Sequence, residues 1–163
     1  MKRAFIPWPD KRLATRAEPV GQITDDIRAI WTDMIDTMEA MPGLGLAAPQ
    51  IGVMLRLAVV DCSDDRGHAI RLADPEIIAS GDTPFDWVEA SPNLPGVSAK
   101  ITRPARVTVA FTDQNGDRIT KDFDDLWATS VQHQIDHLDG KMYFERLSRT
   151  KRQMFLKKAR KKT

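Results

Sequence analysis

The sequence is poor in cysteine and histidine, and it has no long apolar run. Cys62 is the single cysteine among 163 residues, which excludes an intrachain disulfide and a metal site made of several cysteines. We expect it to be a buried or half-buried thiol. The apolar runs are too short to cross a bilayer. Pro7, Pro9 and Asp10 interrupt the basic start before a signal-peptide core could form, so we expect a cytoplasmic protein with no membrane partner.

The overall composition and the length of the chain suit one folded domain. Hydrophobic residues make up 42% and charged residues 29% of the chain, as in globular proteins, and the length predicts a single domain over residues 1–163. The net charge of +1 is unevenly spread, because residues 149–163 contain eight basic and no acidic side chains and the rest carries a net charge of −7. This basic C-terminal tail favours a polyanion as partner. A solvated, disordered end explains the composition equally well.

Two helices are predicted within the chain, in addition to the tail. Residues 1–23 contain three prolines and no hydrophobic period, so we expect an extended arm. Thr24 is a good helix cap, and apolar residues follow at helical spacing over 27–38 until Pro42 and Gly43 end the helix. A second helix with a buried stripe is predicted from the acidic residues 122–125 to Gly140.

The remaining segments predict strands and loops. Strands are indicated over residues 55–62, 69–78, 98–102, 105–113 and 118–123. Pro75 confines the second of these to a sheet edge or a break, and Asn115-Gly116 predicts a hairpin turn. Residues 85–97 contain Pro92 and Pro95 and are interpreted as a stiff extended loop. Residues 144–147 are interpreted as a short extended segment.

The second helix carries the most informative spacing in the chain. Residues 132–140 read Q-H-Q-I-D-H-L-D-G. His133 and His137 stand four residues apart, which places both imidazoles on one face of a helix, where they can hold one divalent metal. Taken alone, such a pair is more often hydrogen-bonded or solvated than metal-binding. The hydrolytic motif H-E-x-x-H has a glutamate as general base at the position of Gln134.

A glycine-rich segment precedes the first strand. Residues 43–52 read G-L-G-L-A-A-P-Q-I-G. The glycines permit close backbone approach, but no G-K-[ST] follows, so the segment is not a phosphate loop. On these residues alone, a turn with a solvated Gln50 is the simpler interpretation.

Three stretches together resemble the peptide deformylase family over about residues 9–152. The family motif G-x-G-L-A-A-x-Q is intact over residues 43–50, and the motif Q-H-E-x-D-H-L-x-G is present over 132–140 except at Gln134. Between them, the family motif E-G-C-L-S aligns with E-A-S-P-N at residues 89–93, where only Glu89 is kept. The resemblance implies an α+β fold in which antiparallel sheets pack around a central helix carrying H-x-x-x-H, with an N-terminal helix and a C-terminal basic helix.

The resemblance also implies a role for individual residues. The metal would be zinc or iron, held by His133, His137 and Ser91, where Ser91 replaces the family cysteine. Gln134 replaces the catalytic glutamate, and Gln50 acts on the oxyanion together with a backbone N–H that Pro92 lacks. The substrate cleft would include Gly43, Gly45, Leu46, Glu89 and Ser130.

The departures from the family motifs affect groups that the resemblance assigns to the same hydrolysis reaction. A neutral serine hydroxyl is a poorer ligand than a thiolate, so any metal would be held with reduced affinity. An amide at position 134 cannot accept or deliver a proton, and Pro92 has no N–H for the oxyanion. We therefore interpret the chain as a deformylase-like protein without N-formylmethionine deformylase activity.

Two classes of function stay open at this stage. A non-catalytic relative would bind a nascent peptide N-terminus and reach the ribosome through its basic tail, with no DNA partner. The alternative is a diverged metal-dependent amide hydrolase, whose two-histidine site is completed by Glu89, by water or by a second chain. Asp136 points away from the two histidines on the helix, and we expect it to pair with an arginine.

Overall fold

The structure, a computed structural model, describes residues 1–163 and has the α+β architecture expected from the sequence. The helices are α1 (Asp25–Ala40), α2 (Asp125–Leu138) and α3 (Arg149–Arg160). The strands are β1 (Gly45–Ala47), β2 (Leu57–Val60), β3 (Ile70–Ser80), β4 (Pro84–Glu89), β5 (Ala99–Pro104), β6 (Arg106–Thr112) and β7 (Arg118–Asp124). Single 3-10 turns cover Lys11–Ala14, Ala48–Ile51 and Tyr143–Arg146.

Two antiparallel sheets surround helix α2. The larger has the strand order β1-β2-β3-β6-β7, and the smaller consists of β4 and β5. Every residue of α2 from Ala128 to Leu138 is buried, because the helix contacts strands of both sheets. The predicted stripe of apolar residues therefore understates the burial of this helix. Trp127, near the start of the helix, is only partly buried.

Helix α1 forms as its sequence predicts. The side-chain oxygen of Thr24 accepts a hydrogen bond of 3.3 Å from the backbone N–H of Ile27, which satisfies one of the free donors of the first turn. Trp31, Met34 and Met38 are fully buried in a cluster with β1 and β2. This packing fixes the position of the glycine-rich segment that comes after the helix.

Two of the sequence predictions for strands and loops need correction, and the one for Pro75 is confirmed. Residues 84–89 form strand β4 instead of a loop, since they pair with β5 from Pro84 to Glu89 and the later prolines restrict only the loop beyond the strand. Pro75 falls beyond the part of β3 that pairs with β2, which ends at Ala73, and on a shift of register to β6 between Ala73 and Glu76, so the expected edge or break is confirmed. Residues 143–146 form a 3-10 turn instead of an extended segment.

The two ends of the chain pack against the rest of the molecule. In the N-terminal arm, the N–H of Ile6 donates to the carbonyl of Gln50 at 3.0 Å, and the N–H of Trp8 donates to the carbonyl of Asn93 at 2.8 Å. In α3, Phe155 and Ala159 are buried in a second apolar cluster, so most of the basic tail is an ordered helix. None of the helices has the length and apolar composition needed to span a membrane.

Candidate functional site

A cleft of about 430 Å³ opens between the glycine-rich segment, strand β4 and helix α2. Most of the predicted site residues line it, namely Gly43, Gly45, Gln50, Glu89, Ser91, Pro92, Ser130, His133 and Gln134. His137 lies one helical turn beyond His133, with the two ring centroids 5.0 Å apart. Leu46 is an exception, because it is fully buried in the cluster under α1. Side chains alternate along a strand, so Leu46 faces away from the cleft that its neighbour Gly45 lines.

Glu89 determines the orientation of His133. The Nδ1 atom of His133 lies 2.8 Å from Oε1 of Glu89. Burial opposes ionisation of Glu89, but hydrogen bonds from Arg103 and His133 outweigh it and hold the pKa of this carboxyl below its ordinary value. The carboxylate therefore accepts a hydrogen bond from Nδ1, which leaves the lone pair of His133 on Nε2.

A buried ion-pair network supports this arrangement. Arg103 donates two hydrogen bonds to Glu89, at 2.7 and 2.8 Å, and one to Asp136 at 3.0 Å. Asp136 also accepts two hydrogen bonds from Arg146, at 2.7 and 2.8 Å. Its pKa is lowered because these arginines outweigh the effect of burial. The expectation that Asp136 pairs with an arginine is confirmed.

His137 is buried and neutral. Burial first, and then the neighbouring His133, lower the pKa of His137 well below its ordinary value. Neither ring nitrogen of His137 has a hydrogen-bond partner among the protein atoms, and the same holds for Oε1 of Gln134 and Oγ1 of Thr129. Leaving such groups unsatisfied costs about 1–3 kcal/mol each. The lone pair of His137 is thus free for a group that enters between the two rings.

The donor set fits only part of the metal site implied by the resemblance. The two imidazoles are suitable ligands, since His133 is oriented by Glu89 and His137 is unpaired. The third position is occupied by the Ser91 hydroxyl, which donates to Oδ1 of Asn93 at 3.2 Å and accepts from Nε2 of Gln50 at 3.4 Å. No three side chains of the histidine, cysteine, aspartate or glutamate type come together as metal ligands. These residues do not fit a tightly held three-ligand metal.

Gln134 lines the cleft on helix α2. It is buried to all but 4% of its surface. A Cβ atom on Gly45 would lie 2.5 Å from Nε2 of Gln134 and 2.5 Å from Oγ of Ser130, so this close approach requires glycine. A primary amide does not titrate in this range. Gln134 can form hydrogen bonds with a bound molecule but cannot act as its general acid or base.

Gln50 is buried, with 2% of its surface exposed, so the interpretation as a solvated turn residue is wrong. Its Oε1 accepts from the N–H of Ala47 at 2.9 Å, and its Nε2 donates to Oδ1 of Asn93 at 2.8 Å. Pro92 lines the same cleft without an N–H. Of the two oxyanion donors implied by the resemblance, one is missing and the other already has a partner.

Sequence reasoning missed Asn93, Arg103 and Tyr143 as parts of the site. Asn93 was counted only as a departure from the second motif. Arg103 lies just beyond the predicted strand 98–102, and its complete burial depends on two carboxylates on other segments, which no local pattern reveals. Tyr143 stacks on the His133 ring at 5.7 Å between centroids, and its burial raises its pKa above the ordinary value.

Comparisons with known proteins agree with this geometry. The sequence profile described as polypeptide deformylase matches residues 2–153. A peptide deformylase-like protein of Bradyrhizobium diazoefficiens is 40% identical over 156 residues, which is 96% of this chain and 91% of that protein. A peptide deformylase of Hydrogenovibrio crunogenus is 38% identical over 98% of this chain and 94% of its own length.

The fold is shared as well. The crystal structure of a peptide deformylase from Legionella pneumophila superimposes with a TM-score of 0.89 at 37% identity, covering 99% of this chain and 95% of that one. Both the sequence and the structure therefore show that the chain belongs to the peptide deformylase family.

Proposed function

We propose that this chain binds a peptide N-terminus in the deformylase cleft without hydrolysing a formyl group. The observation that carries the proposal is the buried amide of Gln134, which stands in the cleft beside His133 and Gly45. Amide hydrolysis needs a group there that takes a proton from the attacking water and delivers it to the leaving amine. Gln134 keeps the shape of that group and lacks its chemistry.

Two further residues of the same cleft support the proposal. The Ser91 hydroxyl stands where the family has a metal-binding thiolate, and Pro92 stands where the family has a backbone donor. Loss of a general acid–base group costs about 10²- to 10⁴-fold in rate, and loss of one oxyanion donor costs about 10²- to 10³-fold. If the two effects are independent, formyl hydrolysis is expected to be slower by at least about 10⁴-fold.

The cleft retains the backbone features that hold an extended peptide. Strand β1 is the edge of the larger sheet, and β4 pairs with β5 on one side only. Residues on or beside both strands line the cleft, among them Gly43, Gly45 and Val88. Free strand edges bind an extended chain through main-chain hydrogen bonds. These edges do not depend on the three altered side chains, so binding can persist where hydrolysis is lost.

The activity assay tests the proposal directly. Purified full-length protein is incubated with an N-formylmethionyl peptide, and released formate is measured with and without added zinc or iron(II). We expect turnover at least about 10⁴-fold below that of an active deformylase assayed in parallel. Isothermal titration with the same peptide should still detect binding. Turnover within about tenfold of the active enzyme contradicts the proposal.

The basic helix α3 supports the ribosome as partner in the cytoplasm, where new chains emerge. None of the eight basic residues between 149 and 162 forms an ion pair. Unpaired cations on one helix suit the phosphates of ribosomal RNA, and such binding weakens with salt.

Charge-neutral variants test this partner without removing the helix. Glutamine replaces four exposed lysines of the tail, Lys157, Lys158, Lys161 and Lys162. The matched control replaces four exposed lysines elsewhere, Lys2, Lys11, Lys100 and Lys141. Co-sedimentation with ribosomes is expected to fall at least about tenfold for the tail variant at low salt. An equal fall in ribosome co-sedimentation for both variants, or no fall for either, shows that the tail does not take part in the binding.

A second candidate function is a diverged metal-dependent amide hydrolase. The favouring observation is the pair of imidazoles, of which His133 is oriented by Glu89 and His137 has no partner. A metal bound there would supply a polarised water in place of a protein base. Metal content after purification without chelator, followed by a panel of small acyl amides, distinguishes this candidate from the first.

A further inference from the structure

Asn93 forms more side-chain hydrogen bonds at the cleft than any residue predicted to belong to the site. It is 2% exposed. Its Nδ2 donates to the carbonyls of Ile6 and Gln50, at 2.6 and 2.9 Å. Its Oδ1 accepts from Nε2 of Gln50 at 2.8 Å and from the Ser91 hydroxyl at 3.2 Å. We infer that Asn93 is a positioning residue that holds Gln50 and Ser91 in internal hydrogen bonds, so that neither is free to act on a bound ligand.

The orientation of both amides is determined by their backbone partners. A carbonyl oxygen can only accept, so the atom of Asn93 that faces the carbonyls of Ile6 and Gln50 is the nitrogen. A backbone N–H can only donate, so the atom of Gln50 that faces Ala47 is the oxygen. These two constraints direct the nitrogen of Gln50 toward the oxygen of Asn93. The hydrogen bond between the two side chains is therefore the arrangement that satisfies all of these backbone groups at once.

This hydrogen bond occupies an amide N–H of Gln50, which could otherwise donate to a ligand in the cleft. One N–H of Gln50 is occupied by Asn93 at 2.8 Å, and the other points at the Ser91 hydroxyl at 3.4 Å. A carbonyl of a bound peptide can accept from Gln50 only after one of these contacts breaks. The Ser91 hydroxyl likewise donates its proton to Oδ1 of Asn93. Asn93 thus adds a fourth change to those at Ser91, Pro92 and Gln134.

The same side chain joins three segments of the fold. Through Ile6 it holds the N-terminal arm, through Gln50 the glycine-rich segment, and through Ser91 its own loop, while its backbone carbonyl accepts from Trp8 at 2.8 Å. In a site with a weak third metal ligand, this connection fixes the loop at 89–93 against the rest of the cleft. The inference goes beyond the proposed function, because it concerns how the cleft is held and does not depend on whether hydrolysis occurs.

Hydrogen exchange of side-chain amides tests the inference on the full-length protein by NMR. In the wild-type chain, the Nε2 protons of Gln50 should exchange at least about tenfold more slowly than those of the exposed Gln114, as expected for a hydrogen bond that must open first. In Asn93→Ser, the residue of the family motif, exchange at Gln50 should accelerate about tenfold or more. The reference is Gln132, a buried amide bonded to the carbonyls of Ala128 and Pro104, whose exchange should not change.

The controls separate positioning from general stability. Asn115→Ser makes the same substitution at an exposed turn and should leave Gln50 unchanged. If Gln50 and Gln132 accelerate by the same factor in Asn93→Ser, the residue only stabilises the fold and the inference is overturned. Fast exchange at Gln50 in the wild-type chain overturns it without any variant. The result is independent of the formyl-peptide assay, so failure here and failure of the proposed function are distinguishable.

Discussion

At the scale of single residues, the site differs from the family motifs at five positions, and four of them change a group that the resemblance places in the reaction. Ser91, Pro92, Asn93 and Gln134 remove a ligand, a donor, a free amide and a proton carrier. Two unaltered residues, His133 and Glu89, keep the hydrogen bond that orients the imidazole. The altered positions are those that would take part in hydrolysis, whereas the kept ones orient the imidazole of His133.

Stepwise restoration of the family residues tests this division. The triple variant Ser91→Cys, Pro92→Leu and Gln134→Glu regains the ligand, the donor and the proton carrier, but Asn93 still holds Gln50. Adding Asn93→Ser frees that donor, and we expect kcat for a formyl peptide to rise by a further 10²- to 10³-fold or so. The measurement is steady-state kinetics with iron(II) or zinc supplied. Equal kcat in the triple and quadruple variants would show that Gln50 was never withheld.

Gly45 is a position in the cleft where an added side chain would displace Gln134 or Ser130. In Gly45→Ala the new methyl group would lie 2.5 Å from Gln134 and Ser130, so we expect a loss of about 1–3 kcal/mol in unfolding free energy and weaker peptide binding. Urea denaturation and calorimetric titration measure the two effects. Gly81→Ala is the matched control, because its nearest contacts would be 3.6 Å away. Similar losses in both variants would refute the close-approach argument.

Cys62 gives a prediction about pH. Burial raises the pKa of its thiol to about 11, so the group is a neutral thiol at pH 8 and becomes a thiolate only as pH rises toward 11. Alkylation by iodoacetamide, detected by mass spectrometry, should therefore be slow at pH 8 and should still be accelerating above pH 10. A cysteine-containing peptide is the reference. A rate that levels off below pH 9 would contradict the prediction.

At the scale of elements, β4, β5 and α2 are joined by a buried charge network. Arg103 on β5 has no exposed side-chain surface and connects Glu89 at the end of β4 with Asp136 on α2. The sequence predicted both α2 and β5 but not this connection, because its three members lie far apart in the chain. The hydrophobic period and the capping residues of a segment predict whether it forms a helix or a strand. The partners of a buried charge depend instead on how the helices and strands pack against one another.

Removal of Arg103, the arginine shared by the two carboxylates, should destabilise the fold. Arg103→Met leaves two buried carboxylates without their shared partner, and we expect a loss of about 3–5 kcal/mol in unfolding free energy. Arg106→Met is the control on β6, the next strand along the chain, where the ion pair with Asp124 is exposed and should contribute little to stability. Urea titration of both variants gives the comparison. A loss below about 1 kcal/mol for Arg103→Met would mean that the network does not stabilise the fold.

At the scale of the whole molecule, the sequence predicted the family, the α+β class and the order of most elements. Three motifs at fixed spacing carried that prediction, since each requires a particular backbone around it. The strand at 84–89 was missed because the prolines at 92 and 95 were taken to govern the whole segment. The burial of Gln50 was missed because its partners, Ala47 and Asn93, are set by tertiary contacts.

The stability of the molecule should be nearly independent of metal. Two imidazoles and a serine hydroxyl already bonded to Asn93 form a weak donor set, so a chelator removes little binding free energy. We expect the melting temperature in excess EDTA to change by less than about 2 °C, which corresponds to less than about 1 kcal/mol for a chain of this size. Differential scanning calorimetry with and without added zinc measures it. A fall of more than about 5 °C on chelation would show that a metal is a structural component after all.

The N-terminal arm has a consequence for the timing of synthesis. Its partners include the carbonyls of Gln50, Asn93 and Leu138, which the ribosome produces progressively later. Ala17 of this arm, whose N–H donates to the carbonyl of Leu138, must therefore wait unpaired until most of the chain has left the exit tunnel. Contacts of such long sequence separation form slowly. The cleft is thus completed only once helix α2, which contributes His133 and Gln134, has been synthesised, so a partly synthesised copy lacks a finished cleft.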